Sequence, residues 1–473
     1  VRARQNPPAR PGPGAARLTE GNVPRGLFRL AIPMVFGMLG MVVFNVTDTF
    51  FVSRLGADQL AALSFTFPVV MILNALAQGI GMSSSALVSR AVGETNPQKV
   101  ERLATDSLAL GVAVLALIVS IGLFTIRPLF TALGAEGIIL DHIAEYMVIW
   151  YWGSIMVVIP MIGNNIIRGL GDSKTPGTVM AISASVNVLL DPLLIFGLGP
   201  FPALGIRGAA IATVLARSLT AVVALYVLIR RERIIRFTRP TVADIWYSWR
   251  QLLYIAVPNA LINMALPLGS AFVTRILAAF GPAVVAGFGV ATRVEMFSLL
   301  FINALGSVTG PYIGQNLGGK LFDRVHLARR SAESFCIVIG VIAAIVLASL
   351  AEPIARIFSP DPEVLQTAVL YLRIVPAAYG FQGILRIGSI TLNVLGRPFH
   401  SAGLTVLQTF GIYIPLAALT SRIWGVPAIF VSLGLSYLIG GSLAHLLSAR
   451  QIQAAAEKET ETAPPSSMAE ARR

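Results

Sequence analysis

Apolar residues run along this chain in long, continuous blocks, not at alternating positions. Each block has 20 or more residues, enough to cross ~30 Å of hydrocarbon as a helix. Twelve blocks are predicted, at about 27–52, 59–88, 103–126, 138–168, 176–198, 206–230, 250–275, 283–312, 328–350, 363–394, 400–420 and 425–448. The continuity excludes a β-barrel, whose strands alternate apolar and polar positions. The fold class is therefore an all-α polytopic membrane protein.

The links differ in charge. Those after even-numbered blocks carry Arg90, Lys99, Arg102, Arg168, Lys174, Arg230, Arg231, Arg233, Arg236, Arg239, Lys320, Arg324, Arg329, Arg330 and Arg397. The opposite links carry fewer: Arg54, Arg127, Arg207, Arg275, Arg356 and Arg422. The positive-inside rule then places both termini in the cytoplasm.

The chain repeats at an offset of 221–225 residues. "LAIPMV" at Leu30 returns as "IAVPNA" at Ile255, and "FVSRLG" at Phe51 as "FVTRIL" at Phe272. "RGLGDSKTP" at Arg168 returns as "NVLGRPFHS" at Asn393. Two halves of six spans each insert the same way up. They are expected to be two six-helix bundles related by a pseudo-two-fold axis along the membrane normal, with a substrate cleft between them. The expected boundaries are a disordered segment at 1–24, a first lobe at 25–230, a basic cytoplasmic linker at 231–249, a second lobe at 250–450 and a polar tail at 451–473.

Composition narrows the classes. Of 473 residues, 55% are hydrophobic and 12% charged, and mean hydropathy is +0.75. That leaves too little polar surface for a soluble protein. The net charge of +13 is accounted for by the loops, so no nucleic-acid partner is expected. The single cysteine, Cys336, permits no disulfide framework, and His142, His326, His400 and His445 lack metal-ligand spacing. No GxxxxGK[ST] loop occurs, so ATP hydrolysis by that route is excluded. No catalytic cluster marks an enzyme. The first residues are Pro-, Gly- and Arg-rich without the apolar core of a signal peptide.

Against this background three carboxylates stand out: Asp48, Asp191 and Glu295, each inside an apolar block. A charge at mid-bilayer costs ~2.5–3.5 kcal/mol on insertion scales, so each needs a reason. Asp48 and Asp191 lie at similar depth on the first and fifth spans. Asn187 is one turn before Asp191, Asn45 lies three residues before Asp48, and Pro192 frees the Val188 carbonyl. Such a group suits proton or Na⁺ binding. Two structural roles stay open: Asp48 pairing with Arg54 near the interface, and Asp191 satisfying backbone at a kink. For Glu295 a structural role beside Arg293 is favoured. Asn164 and Asn165 either cross-link helices or bind, and Tyr146, Trp150, Tyr151 and Trp152 read as an interfacial aromatic belt. At the repeat offset the second half lacks counterparts of Asp48 and Asp191, which favours a site over scaffold.

The motifs "TDTFFVSRLGADQLAALSFTFPV", "GIGMSSSALVSRAVGETNPQKVER", "RGLGDSKTP" and "NVLLDPLLIFG", in this order and partly repeated, resemble the multidrug and toxic compound extrusion (MATE) family across about residues 20–450. Within it the chain resembles the DinF-type branch most. The resemblance implies a secondary multidrug efflux transporter of the inner membrane, exporting cationic or amphipathic drugs or toxins by H⁺ or Na⁺ antiport, without a cofactor and as a monomer. It implies that Asp48 and Asp191 carry the coupling cation with Asn187. It also implies that Tyr146, Asn164 and Thr213 line the cavity of the same lobe. The NorM-type branch uses acidic residues in spans seven and ten. Here span seven has none and span ten offers Gln382. The alternatives are a flippase for a lipid-linked oligosaccharide, whose cleft should be rich in inward-facing Arg and Lys, and a channel.

Overall fold

The computed structural model describes residues 18–198, 201–235 and 241–462. Its described elements are helices, and they supply twelve spans. Ten are single spans: Val23–Ser53, Asp58–Gly93, Pro97–Ala132, Lys174–Phe196, Ile206–Arg231, Val242–Ala278, Phe322–Ser349, Pro362–Val394, Pro398–Trp424 and Val426–Glu461. The fourth span, Gly137–Gly153 with Ile155–Gly169, and the eighth, Pro282–Ser298 with Leu300–Gly318, bend by 44° and 45°.

Local chemistry sets the ends and breaks. The third span starts at Pro97 behind Asn96, whose side chain accepts the Lys99 N–H at 3.0 Å. The tenth starts at Pro362 behind Asp361, which accepts the Glu363 and Val364 N–H groups. At both bends a serine bonds back onto the helix, Ser154 Oγ to the Tyr151 carbonyl at 2.5 Å and Ser298 Oγ to the Val294 carbonyl at 2.9 Å. Such bonds compete with the helical ladder and bend it. The repeat is visible here too: the break at Ser154 recurs in the tenth span as a 3₁₀ turn, Val375–Ala378.

The chain forms two compact units. The first holds Ile32–Ala260; the second holds Asn22–Ala31 and runs on from Leu261. The division therefore falls inside the first and seventh helices and not in the expected linker. Seven residues into its helix, Trp249 donates from Nε1 to the Asp106 carbonyl at 3.1 Å, and Ala256 and Ala260 close against Gly79. These contacts tie the start of the seventh span to the first unit. Gly26 under the Tyr312 ring, and Phe28 6.0 Å from Phe335, tie the first turns of the chain to the second unit.

Three expectations meet the structure differently. The linker expected at 231–249 turns helical at Val242, while 236–240 lie outside the described residues. The tail expected from Gln451 continues the last helix to Thr462, where Glu459 pairs with Lys320; 463–473 lie outside the described residues. The disordered segment at 1–24 lies outside them up to residue 17, and the first helix starts at Val23.

Candidate functional site

The site in the first lobe is positioned by small residues. Gly37 on the first span sits on Gly177 of the fifth so closely that a Cβ would come within 2.7 Å of the Gly177 carbonyl. Gly40 packs on Ala181 and Ala184. Further along both helices, Val52 clusters with Ile195, and the rings of Phe51 and Phe196 lie 6.1 Å apart. Both numberings rise together, so the helices run parallel. The partner of each first-span residue is about 143 positions later, from Gly40 with Ala184 to Val52 with Ile195. That register puts Asp48 beside Asp191. The fifth helix ends one and a half turns on at Gly197, whose φ of 72° suits glycine; a Cβ there would also meet Ala203 N at 2.5 Å.

Asp191 and Asn187 are fully buried, and Asp48 is half-buried. Asn187 Nδ2 donates to Asp191 Oδ1 at 3.2 Å. Three acceptor oxygens are left buried without a partner: Asp48 Oδ1, Asn187 Oδ1 and Asp191 Oδ2. The two carboxylates act on each other electrostatically and both act on Tyr146, which is 7% exposed. Unpartnered buried oxygens are costly, of order 1–3 kcal/mol each, and mark a place where a proton or cation can be taken up. Among the described residues no three His, Cys, Asp or Glu side chains cluster to hold a metal ion.

Several readings are corrected. Arg54 is not the partner of Asp48: its guanidinium lies 5.0 Å from the centre of the Phe50 ring. Asn45 is exposed, off the buried face. The fifth helix is continuous through Pro192. The aromatic belt holds only for Trp152, which is 70% exposed. Tyr146, Trp150 and Tyr151 are buried in the lobe core, because the fourth span is an inner helix on that face. Glu295 pairs not with Arg293 but with Tyr371, whose hydroxyl donates to Oε2 at 2.5 Å.

Of the other candidates, Asn164 is buried on the second half of the bent fourth span. Asn165 next to it accepts from Arg168 at 2.6 Å and donates to the Met161 carbonyl at 2.7 Å, both bonds within its own helix. Thr213 is half-buried on the sixth span, beside Val214, which fills the space over Gly153. Sequence reasoning passed over Arg217. Its guanidinium lies 5.2 Å from the centre of the Phe44 ring, one turn before Asp48, with Nη1 3.4 Å from Met41 Sδ. An arginine in the middle of the apolar sixth block, away from Arg207 and Arg230 at its ends, was the signal.

Comparison with known proteins agrees with this architecture. The MatE family model matches residues 33–193 and 258–419, once in each half. The protein named FAD transporter from Shewanella oneidensis is 36% identical over 433 residues, spanning 92% of this chain and 96% of its own. The probable multidrug resistance protein NorM of Thermotoga maritima is 28% identical, over 83% of this chain and 84% of its own. The crystal structure of the Vibrio cholerae MATE transporter VcmN in the bent form superposes with a TM-score of 0.87 at 28% identity, covering 92% of this chain and 98% of that one. Twelve spans, a sequence repeat and a family match in both halves converge, and the chain belongs to the MatE family of integral membrane transporters.

Proposed function

We propose that this transporter exports organic compounds across the inner membrane by alternating access, driven by H⁺ or Na⁺ antiport. Asp48, Asp191 and Asn187 form the coupling site, and Tyr146, Asn164 and Thr213 line the cavity of the same lobe. The observation that carries the reading is the carboxylate pair in helical register with three unpartnered oxygens. In the outward-open state the pair takes up a proton, or binds Na⁺ as carboxylates. Neutralisation removes the repulsion between them and lets the first helix bend, which weakens cargo binding. Inward reorientation releases the cation. Moving one charge through 100 mV supplies ~2.3 kcal/mol.

The placement on the DinF-type branch, the monomeric state and the cytoplasmic position of both termini belong to the same proposal. Asp48→Asn and Asp191→Asn are expected to reduce gradient-driven export to the no-gradient background at unchanged yield and melting temperature. Export by both variants at the wild-type rate would overturn the coupling role. In proteoliposomes, current without cargo movement would instead identify a channel.

Two cargo classes are supported by different observations. The multidrug names of relatives support varied organic compounds, and carboxylates within the spans favour cationic or amphipathic ones. The FAD transporter from Shewanella, at 36% identity, supports a flavin dinucleotide, an anion. The charge within the spans is not only acidic: Arg217, Arg293 and Arg386 also lie there, which suits an anionic cargo as well.

A further inference from the structure

The tenth span carries a polar stripe whose hydrogen-bonding groups its packing leaves unpartnered. Tyr379, Gln382, Arg386 and Ser389 fall at i, i+3, i+7 and i+10, one stripe of a helix about 15 Å long. The helix packs through its other faces. Gly380 and Gly383 meet Gly340 and Cys336 of the ninth span. Phe381, Leu385 and Gly388 meet Gly441, Gly440 and Ala444 of the twelfth, and Ile390 meets Gly306 and Gly310 of the eighth.

Tyr379 Oη, Gln382 Oε1 and Ser389 Oγ are each buried without a hydrogen-bond partner, and the Tyr379 side chain is fully buried. Arg386 is the charge in the middle of the stripe. Its stem lies across Gly306, where an added Cβ would come within 3.1 Å of Nε, so glycine makes the groove it occupies. The Arg386 side chain stays accessible, and no carboxylate pairs with it among the described residues. It stands about 13 Å inside the helix end at Leu395, a depth at which an unpaired cation is costly unless it serves a ligand or pathway.

We infer that this stripe recognises the cargo, and that the cargo it takes is an elongated organic anion rich in hydrogen-bonding groups, with a phosphate seated on Arg386. The planar guanidinium matches phosphate oxygens with two parallel N–H bonds. The hydroxyls of Tyr379 and Ser389 and the Gln382 amide supply further donors and acceptors along the length of the ligand. The inference rests on the export reading above, and it replaces a cation with an anion as the preferred cargo.

Equilibrium binding to the purified full chain in nanodiscs, without any gradient, tests it separately from coupling. The probes are riboflavin, FMN and FAD, read by flavin fluorescence; FMN differs from riboflavin by one phosphate. Wild type is expected to bind FMN and FAD more tightly than riboflavin. Arg386→Gln is expected to weaken FMN and FAD about 10- to 100-fold, the worth of a hydrogen-bonded charge, and to leave riboflavin unchanged. Arg386→Lys keeps the charge and is expected to retain part of the preference, which covers the case in which the glutamine variant fails to fold. Equal binding of FMN and riboflavin by wild type or by Arg386→Lys would overturn the inference. So would equal loss of all three probes in Arg386→Gln, the mark of a structural role. Loss of gradient-driven export in the Asp48 variant has no bearing on these affinities, so the two readings fail independently.

Discussion

At the scale of the residue, Asp191 depends on a single donor. Asn187 supplies its only described hydrogen bond, and a bond to a charged group contributes about 1.5–3 kcal/mol. Asn187→Leu is expected to shift the cation concentration for half-maximal export by about tenfold or more while the chain still folds; an unchanged value would show that Asn187 only packs. Outside the spans, Asp172 offers a pH test. Burial opposes its ionisation, but the Thr175 hydroxyl at 2.6 Å, the Thr175 N–H at 3.0 Å and the Arg231 guanidinium outweigh it and hold the carboxyl below its usual range. A depressed carboxyl stabilises the fold above its unfolded pKa, ~3.9, and that contribution fades as pH falls through the folded value. Asp172→Asn is expected to lower stability by about 1 kcal/mol at pH 7, since Arg231 is partly exposed, and to differ little from wild type at the acid end of a melting series. Asp48 and Asp191 were legible as residues because a carboxylate in an apolar block stands out. The Tyr371 partner of Glu295 was not, since it lies 76 residues away in a span with no unusual pattern.

At the scale of the element, parallel packing of the first and fifth spans sets the proposed coupling site. It depends on the absence of side chains where the helices touch. A Cβ on Gly177 would come within 2.3 Å of the Pro33 carbonyl, a backbone atom that cannot turn aside. Gly177→Val is expected to cost about 1–3 kcal/mol by overpacking and to separate the helices. Export should then fall even though Asp48 and Asp191 are intact. Wild-type export with wild-type melting would show that the register tolerates the wedge. The spans themselves were legible from apolar length, and their boundaries moved by only a few turns. The bends were not: serines bond back to carbonyls elsewhere too, as Ser84 and Ser107 do, so the break depends on what surrounds the helix.

At the scale of the whole molecule, two lobes each bury charge at helix contacts. In the second, Arg329 (1% exposed) bonds Glu333 at 2.6 Å, and Glu333 meets His445 of the last span at 2.8 Å. Glu333→Gln leaves a buried guanidinium without its counter-charge, at a cost of about 3–5 kcal/mol. The expected result is a marked fall in folded yield, read by size-exclusion profile; an unchanged profile would mean that water or His445 compensates. Transport by reconstituted protein under separately imposed pH and Na⁺ gradients assigns the ion: collapse of one gradient should stop export and collapse of the other should not.

The sequence by itself determined the twelve spans, the two-fold repeat, the family resemblance and the suspicion that Asp48 and Asp191 act together. Apolar length, repeated motifs and charges out of place are properties of the chain read in order. Tertiary structure alone decided the rest: which helices touch, which aromatic side chains are core and not belt, and which polar atoms lack partners. Those outcomes depend on packing between segments far apart in the chain. The polar stripe around Arg386 shows why. In "YGFQGILRIGSITLNV" Gln382 and the charge of Arg386 can be picked out, but with Tyr379 and Ser389 they become a candidate site only once the neighbouring helices have taken up the other faces.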